Sequence, residues 1–273
     1  MIKNLRLLFL QLFCIGIIIE SQAQKPNALP YAHAHNDYEK IFRADFKDAI
    51  KNGCISIEID VFPYKNRLVV SHIPLFLNFK NDFEKRYLKP LKKYLTDNEN
   101  QIFQEKGQRL VLMVDLKRNI PKGYQLLRAL GEKYSDMLAI WYPKKDSIKN
   151  GPVELLISGA KPFNELAADS VWYMRIDGNF GDVGSKERSS LMVPRVSAPY
   201  ASFFKWRGIG KVSEKELERL RDFVKRAHAD NRSVRFWAMP NNLEVWKTMR
   251  KEGVDWLNVD DLKLLKKFIK KLN

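Results

Sequence analysis

The stretch Cys54-Ile55-Ser56-Ile57-Glu58-Ile59-Asp60-Val61-Phe62 decides the fold. Its apolar and β-branched residues predict a strand, and the helix expected over residues 45–52 stops just before it at Gly53. Two carboxylates interrupt a run that a buried strand would keep apolar. At i and i+2, Glu58 and Asp60 point to the same side. Outward from here, residues 29–35 read as an earlier strand. Residues 67–72 read as a following one, joined through the turn-like Lys65-Asn66. Residues 80–106 are polar and mostly helical, and 109–117 form another strand. Later strands are expected over 138–142, 153–158, 171–176, 192–197, 234–238 and 256–259. Helical patterns fall between most of them, notably 213–229 and 242–252, and Ser213 with Glu216 has capping-box spacing. Strand and helix alternating to the end imply a parallel sheet, and about eight such units imply an α/β fold closed as a (β/α)8 TIM barrel. The rival is an open doubly wound sheet. No Gly-x-Gly-x-x-Gly follows the first strand, which removes its usual nucleotide-binding form.

Several polar residues stand toward the C-terminal ends of these strands, where barrel active sites gather. They are His35-Asn36, the Glu58/Asp60 pair, His72, and the pair Asp115 and Lys117, again at i and i+2. Three carboxylates directed into one confined place repel one another and are costly to leave unpaired. One hard divalent cation, Mg²⁺ or Ca²⁺, resolves this with oxygen ligands from Glu58, Asp60 and Asp115, and Asn36 offers an amide oxygen beside them. His35 and His72 suit general acid–base chemistry, since an imidazole titrates near neutrality. Lys117 adds a point charge suited to a phosphate. A single Glu-x-Asp can equally pair with surface lysines; five residues from three strands converging on one edge favour a site. His33 faces the same way as His35 and could also enter the site; His35 is favoured, since Asn36 and Tyr38 fix the register.

The chain has 273 residues, 45% of them apolar, enough for one large core. Lys3 and Arg6 precede an apolar run over residues 7–19, and Ser21-Gln22-Ala23 offers small residues for cleavage, so residues 1–23 read as a signal peptide. The run is shorter than the roughly 18 residues that span a bilayer. The expectation is a single domain over residues 24–273, exported to a periplasm or secreted, with retention of the leader as an anchor the alternative. Removing the leader lowers the formal charge from +16 to +15 and leaves Cys54 as the single cysteine, a small buried hydrophobe by its neighbours.

The motifs Ala34-His35-Asn36-Asp37-Tyr38, then Phe46 and Ala49 ahead of Gly53, Glu58-x-Asp60-Val61, and Leu68-Val69-Val70-x-His72 resemble the phosphatidylinositol-phospholipase-C-like phosphodiesterase superfamily. That group includes glycerophosphodiester phosphodiesterases and sphingomyelinase D-type phospholipases. The opening His33-x-His35-Asn36-Asp37-Tyr38 is most similar to the altered-inheritance-of-mitochondria family. Arg235-Phe236-Trp237 and the run from Gly253 to Asp260 are similar to the last two strands of glycerophosphodiesterases. The resemblance implies a metal-dependent phosphoric diester hydrolase of the phospholipase C or glycerophosphodiesterase kind, acting on a glycerophosphodiester or a phospholipid head group. It implies His35 and His72 as the acid–base pair, Glu58, Asp60, Asp115 and Asn36 as metal ligands, Lys117 at the phosphate and Trp237 in the substrate pocket. Glycerophosphodiesterases follow the first histidine with arginine and usually place Glu where Asp115 stands. The sphingomyelinase D-type enzymes place Asp there.

Two further stretches carry alternatives. Residues 261–273 place Leu262, Leu265, Phe268, Ile269 and Leu272 on one face and five lysines elsewhere, which reads as the final barrel helix or as a helix lying on an anionic membrane. Residues 199–208 interleave aromatic and basic side chains in a loop suited to a lipid or a sugar phosphate, or to packing over the rim. The basic balance raises a rival of another class, a non-catalytic barrel that binds phospholipid or another polyanion. Basic residues spread through the chain, and with no nucleic-acid motif present, nucleic acid is not an expected partner, nor is an obligate protein partner.

Overall fold

The computed structural model describes residues 25–35, 46–74 and 80–272. The expected signal segment and Asn36 lie outside the described residues. Eight strands run parallel around one barrel: β1 (Leu29–Ala34), β2 (Cys54–Tyr64), β3 (Leu110–Leu116), β4 (Val153–Gly159), β5 (Met174–Asn179), β6 (Arg195–Pro199), β7 (Ser233–Trp237) and β8 (Leu257–Val259). Their hydrogen-bonded order is β7-β6-β5-β4-β3-β2-β1-β8. The ring meets itself at the β7–β8 seam, where Arg235 and Trp256 form a parallel bridge and the Trp256 N–H donates to the Val234 carbonyl at 3.1 Å.

The helices cover the outside: α1 (Lys47–Lys51), α2 (Lys89–Asp97), α3 (Ile120–Lys133), α4 (Phe163–Ala168), α5 (Glu214–Ala229), α6 (Leu243–Lys251) and α7 (Leu262–Leu272). The large apolar core lies between them and the outer faces of the strands. Inside the barrel the apolar filling is small, Val111, Met113 and Leu156 with Trp256 against them. The rest of the interior is polar: His33, Ser56, Glu58, Asp177, Arg195, Arg235 and Asn258 are all buried. On α7, Leu265 and Phe268 are fully buried, and Phe268 meets Tyr31 and Trp246 edge to face. The apolar face of that helix is therefore taken up by the barrel wall.

Four expectations need correction. Residues 67–72 do not add a parallel strand; Arg67–Val70 pairs antiparallel with the end of β2 and makes a hairpin over the rim. In the stretch 138–142, only Ile140–Tyr142 is a strand, paired with Ser147–Lys149 in a separate two-stranded sheet. The fifth and sixth strands begin three residues later than the apolar pattern suggests. Val171 and Trp172 read as strand residues, yet Trp172 pairs antiparallel with Trp141 outside the barrel. Ser213 begins α5 without a side-chain cap, and the Glu216 carboxylate, the other half of the expected capping box, accepts the Lys205 N–H at 2.7 Å instead. Cys54 is fully buried in the apolar core, as its neighbours suggested.

Candidate active site

Parallel register brings the acidic residues together. Asp60 on β2 stands beside Asp115 on β3, and Asp115 beside Ser158 on β4. Glu58 lies on the same inner face as Asp60, one step deeper. One oxygen from each of Glu58, Asp60 and Asp115 lies within 4.8 Å of the others. His35, Glu58, His72, Asp115, Lys117 and Trp237 line a single cleft of about 470 Å³ at the C-terminal mouth of the barrel. Asp60 is 1% exposed.

The hairpin after β2 delivers His72. The Ser71 N–H donates to the Asp60 carbonyl at 3.1 Å, and the His72 Nδ1 lies 2.8 Å from Asp60 Oδ2. The same carboxylate oxygen is 2.8 Å from the Lys117 ammonium, which also reaches Asp115 Oδ2 at 2.9 Å. Burial disfavours the charged ammonium, but the two carboxylates outweigh it and raise the Lys117 pKa. Lys117 thus lines the cleft with its charge shared between two acids. Burial raises the Asp115 pKa, while Lys117 pulls it the other way.

His33 and His35 part company. His33 is fully buried, with Nδ1 at 2.7 Å from Ser56 Oγ and Nε2 at 3.0 Å from Glu58 Oε2. Burial, and then the nearby Arg235 charge, push its pKa well down. His35 stands at the cleft mouth with Nδ1 at 2.6 Å from Asp260 Oδ1. Burial opposes its charged form, yet the hydrogen bond to Asp260 prevails and the pKa is raised. Of the pair, His35 is the one open to a ligand.

The carboxylate group fits a hard cation on two local observations. Asp115 Oδ1 is buried with no hydrogen-bond partner among the described residues, a costly condition for a charged oxygen unless an ion completes it. Gly159, with φ at +71°, leaves that oxygen its room, because a Cβ there would come within 2.0 Å of it.

Comparison with known proteins gives the family and the fold. Residues 25–175 match the AIM6-like phosphodiesterase domain. The chain belongs to that family. It is 28% identical over 261 residues to the altered inheritance of mitochondria protein 6 homolog of Arthroderma benhamiae, covering 86% of this chain and 82% of that one. The corresponding protein of Eremothecium gossypii is 27% identical over 273 residues, covering 88% and 69%. Two solved structures share the fold. A glycerophosphodiester phosphodiesterase from Parabacteroides distasonis superposes with a TM-score of 0.54 at 13% identity, over 92% of this chain and 99% of that one. One from Agrobacterium tumefaciens gives 0.53 at 12%, over 89% and 100%.

Several further site residues carry no mark in the strand spacing alone. The Arg235 guanidinium bonds Glu58 Oε2 and, at 2.6 Å, Asn258 Oδ1. Burial opposes ionisation of Glu58 most strongly, but Arg235 and the His33 hydrogen bond hold its carboxyl far below the usual range. Asp260 orients His35 and accepts a hydrogen bond from Asn241 at 2.7 Å. Arg235 and Asp260 both fall in the two C-terminal motifs, which was the available signal. Lys161 follows β4 into the cleft and donates to Asn179 Oδ1 at 2.7 Å, with no carboxylate within 4.0 Å among the described residues. Burial lowers its pKa, against the raising pull of Asp177. Ser158 Oγ, also in the cleft, is buried and has no hydrogen-bond partner among the described residues.

Proposed function

We propose that this chain is a phosphoric diester hydrolase that works with one divalent cation, Mg²⁺ or Ca²⁺, on a glycerophosphodiester or a phospholipid head group. One observation carries this reading: three carboxylates converge within 4.8 Å at the floor of a cleft whose walls hold His35 and His72. Glu58, Asp60 and Asp115 would hold the ion, and Asn36 follows His35 in sequence as a further oxygen donor. When bound, such an ion neutralises non-bridging phosphoryl oxygens and lowers the pKa of a coordinated hydroxyl.

The chain's own residues do the remainder. Asp260 and Asp60 fix the rings of His35 and His72 through Nδ1, so one ring takes the nucleophile's proton and the other returns a proton to the leaving alkoxide. Lys117 and Lys161 bring positive charge to the phosphate, and Trp237, 44% exposed, offers a flat apolar wall to the leaving group. The basic then apolar N-terminal stretch supports a periplasmic or secreted setting for this activity.

The test is an assay of the full chain on glycerophosphodiesters, lysophospholipids, phosphatidylinositol and a chromogenic diester, with magnesium, with calcium and with chelator. The expected result is turnover that chelator abolishes, either ion restores, and His35→Ala and Glu58→Ala each remove. Folded protein that binds no divalent ion and cleaves no diester would move the reading to a barrel that binds a polyanion without cutting it.

A further inference from the structure

Four large hydrophobic side chains are conspicuously exposed among the described residues: Ile73, Ile148, Ile209 and Trp237. Ile148 lies on the side sheet that precedes β4. The other three stand at the barrel mouth: Ile73 directly follows His72, Trp237 lines the cleft, and Ile209 sits in the loop between β6 and α5. An isolated exposed isoleucine is ordinary. Ile209 is not ordinary, because it is 87% exposed and the loop is built to hold it out.

Gly208 and Gly210 flank it with φ of +94° and +66°, a backbone that few other residues adopt. The Trp206 indole N–H donates to the carbonyls of Ile209 and Gly210 at 3.0 and 3.1 Å and so ties the turn from inside. The base is rigid too, since Phe203 packs edge to face on Phe180, Phe223 and Phe236. The tip therefore cannot fold back to cover its isoleucine without breaking these contacts.

Charge surrounds the tip. Lys205, Arg207 and Lys211 are exposed, and none of their charged groups forms an ion pair among the described residues; the Glu216 carboxylate beside the loop accepts the Lys205 backbone N–H. The loop also leans on the site's own scaffold. Gly208 backs onto Asn242, its neighbour Asn241 bonds Asp260, and Asp260 holds His35.

We propose that the 205–211 loop docks the barrel mouth onto an anionic phospholipid surface, with Ile209 inserted among acyl chains and Lys205, Arg207 and Lys211 on head-group phosphates. An aliphatic tip ringed by cations matches an interface that is apolar below and anionic above. A single-stranded nucleic acid would call for an exposed aromatic platform, and the tip residue has no ring to stack. The consequence rests on the phosphodiesterase reading: the diester is then a membrane lipid, met with the cleft facing the bilayer. The docking itself does not rest on it.

The experiment uses the full chain and vesicles of phosphatidylcholine alone or mixed with phosphatidylglycerol. Hydrogen exchange is followed residue by residue, so that any binding through the leader is seen separately. Amides of residues 205–212 should gain protection on the mixed vesicles and little on the neutral ones. Ile209→Ser should weaken sedimentation with mixed vesicles about tenfold, and each of Lys205→Gln, Arg207→Gln and Lys211→Gln about fivefold. Hydrolysis of a water-soluble diester by Ile209→Ser should match the parent, so a docking failure is distinguishable from a chemical one. If no diester is cleaved but the loop is protected, docking stands and the enzyme reading falls. Vesicle binding with no protection at 205–212, or protection by RNA or polyphosphate but not by vesicles, would overturn the proposal.

Discussion

His33 and His35 lie two residues apart on one strand, yet they belong to opposite kinds of region. His33 is sealed inside the barrel with Ser56, Glu58, Arg235 and Asn258, and both its ring nitrogens are engaged. His35 stands at the mouth, where Asp260 anchors one nitrogen and the cleft opens beside it. The interior group matches charges with fixed partners, and removing one partner strands the others in a medium that cannot solvate them. The mouth group anchors each ring from one side and leaves the cleft accessible. The contrast separates groups that hold the barrel from groups open to a ligand, with Glu58 belonging to both, and substitutions on either side of it should divide along the same line.

The largest effect is expected at the mouth and in rate alone. His72→Ala should lower diester turnover about 10²–10⁴-fold, while its unfolding free energy from urea titration stays within about 0.5 kcal/mol of the parent, as for other exposed sites. A comparable loss of stability would erase the distinction between the two regions.

Arg235→Met should do the reverse and destabilise the fold by about 3–5 kcal/mol, because Glu58 is left buried without its cation. Combining it with Glu58→Leu should recover much of that loss in denaturant titration, yet yield a folded protein with weakened divalent-ion binding by calorimetry.

Gly159→Ala sharpens the boundary, since the new methyl would approach Asp115 Oδ1 to 2.0 Å and the Leu116 carbonyl oxygen to 2.5 Å. A cost of about 1–3 kcal/mol is expected from the left-handed backbone, with ion affinity reduced alongside it.

The smallest effect is a titration. Folding raises His35 above its ordinary value of 6.5 and lowers Asp260 below its ordinary 3.8. The pair's contribution is therefore complete between those two ordinary values. It is lost as pH rises through the raised imidazole value, and again as pH falls through the lowered carboxyl value. Asp260→Asn should let burial dominate and bring the His35 titration, followed by NMR, down toward or below 6.5. The stability change should be at most about 1 kcal/mol, because both groups are partly open to water. An unmoved titration would mean that Asp260 does not set the state of His35.

Much of this molecule is legible along the chain because its signals are local. Glu58 and Asp60, like Asp115 and Lys117, announce a polar inner face by their spacing of two. The alternation of strands with amphipathic helices is enough to imply a parallel barrel. The places that misled are those where an apolar run serves something other than the barrel. Val171 and Trp172 look like the start of a strand, and only their position outside the barrel reveals that β5 begins later and carries Asp177 and Asn179 to the cleft. Residues 67–70 are extended as expected, but nothing in them states that the chain turns back over the rim to seat His72 on Asp60.

The residue types and their spacing determined the fold class, the acidic floor and the candidate histidines, since periodicity and strand alternation act over a few residues. Tertiary structure alone decided which histidine is walled in, which arginine neutralises Glu58 from 177 positions away, and which aspartate steers His35 from 225. Those choices depend on how the strands close into a ring, and ring closure brings together residues that no local pattern relates.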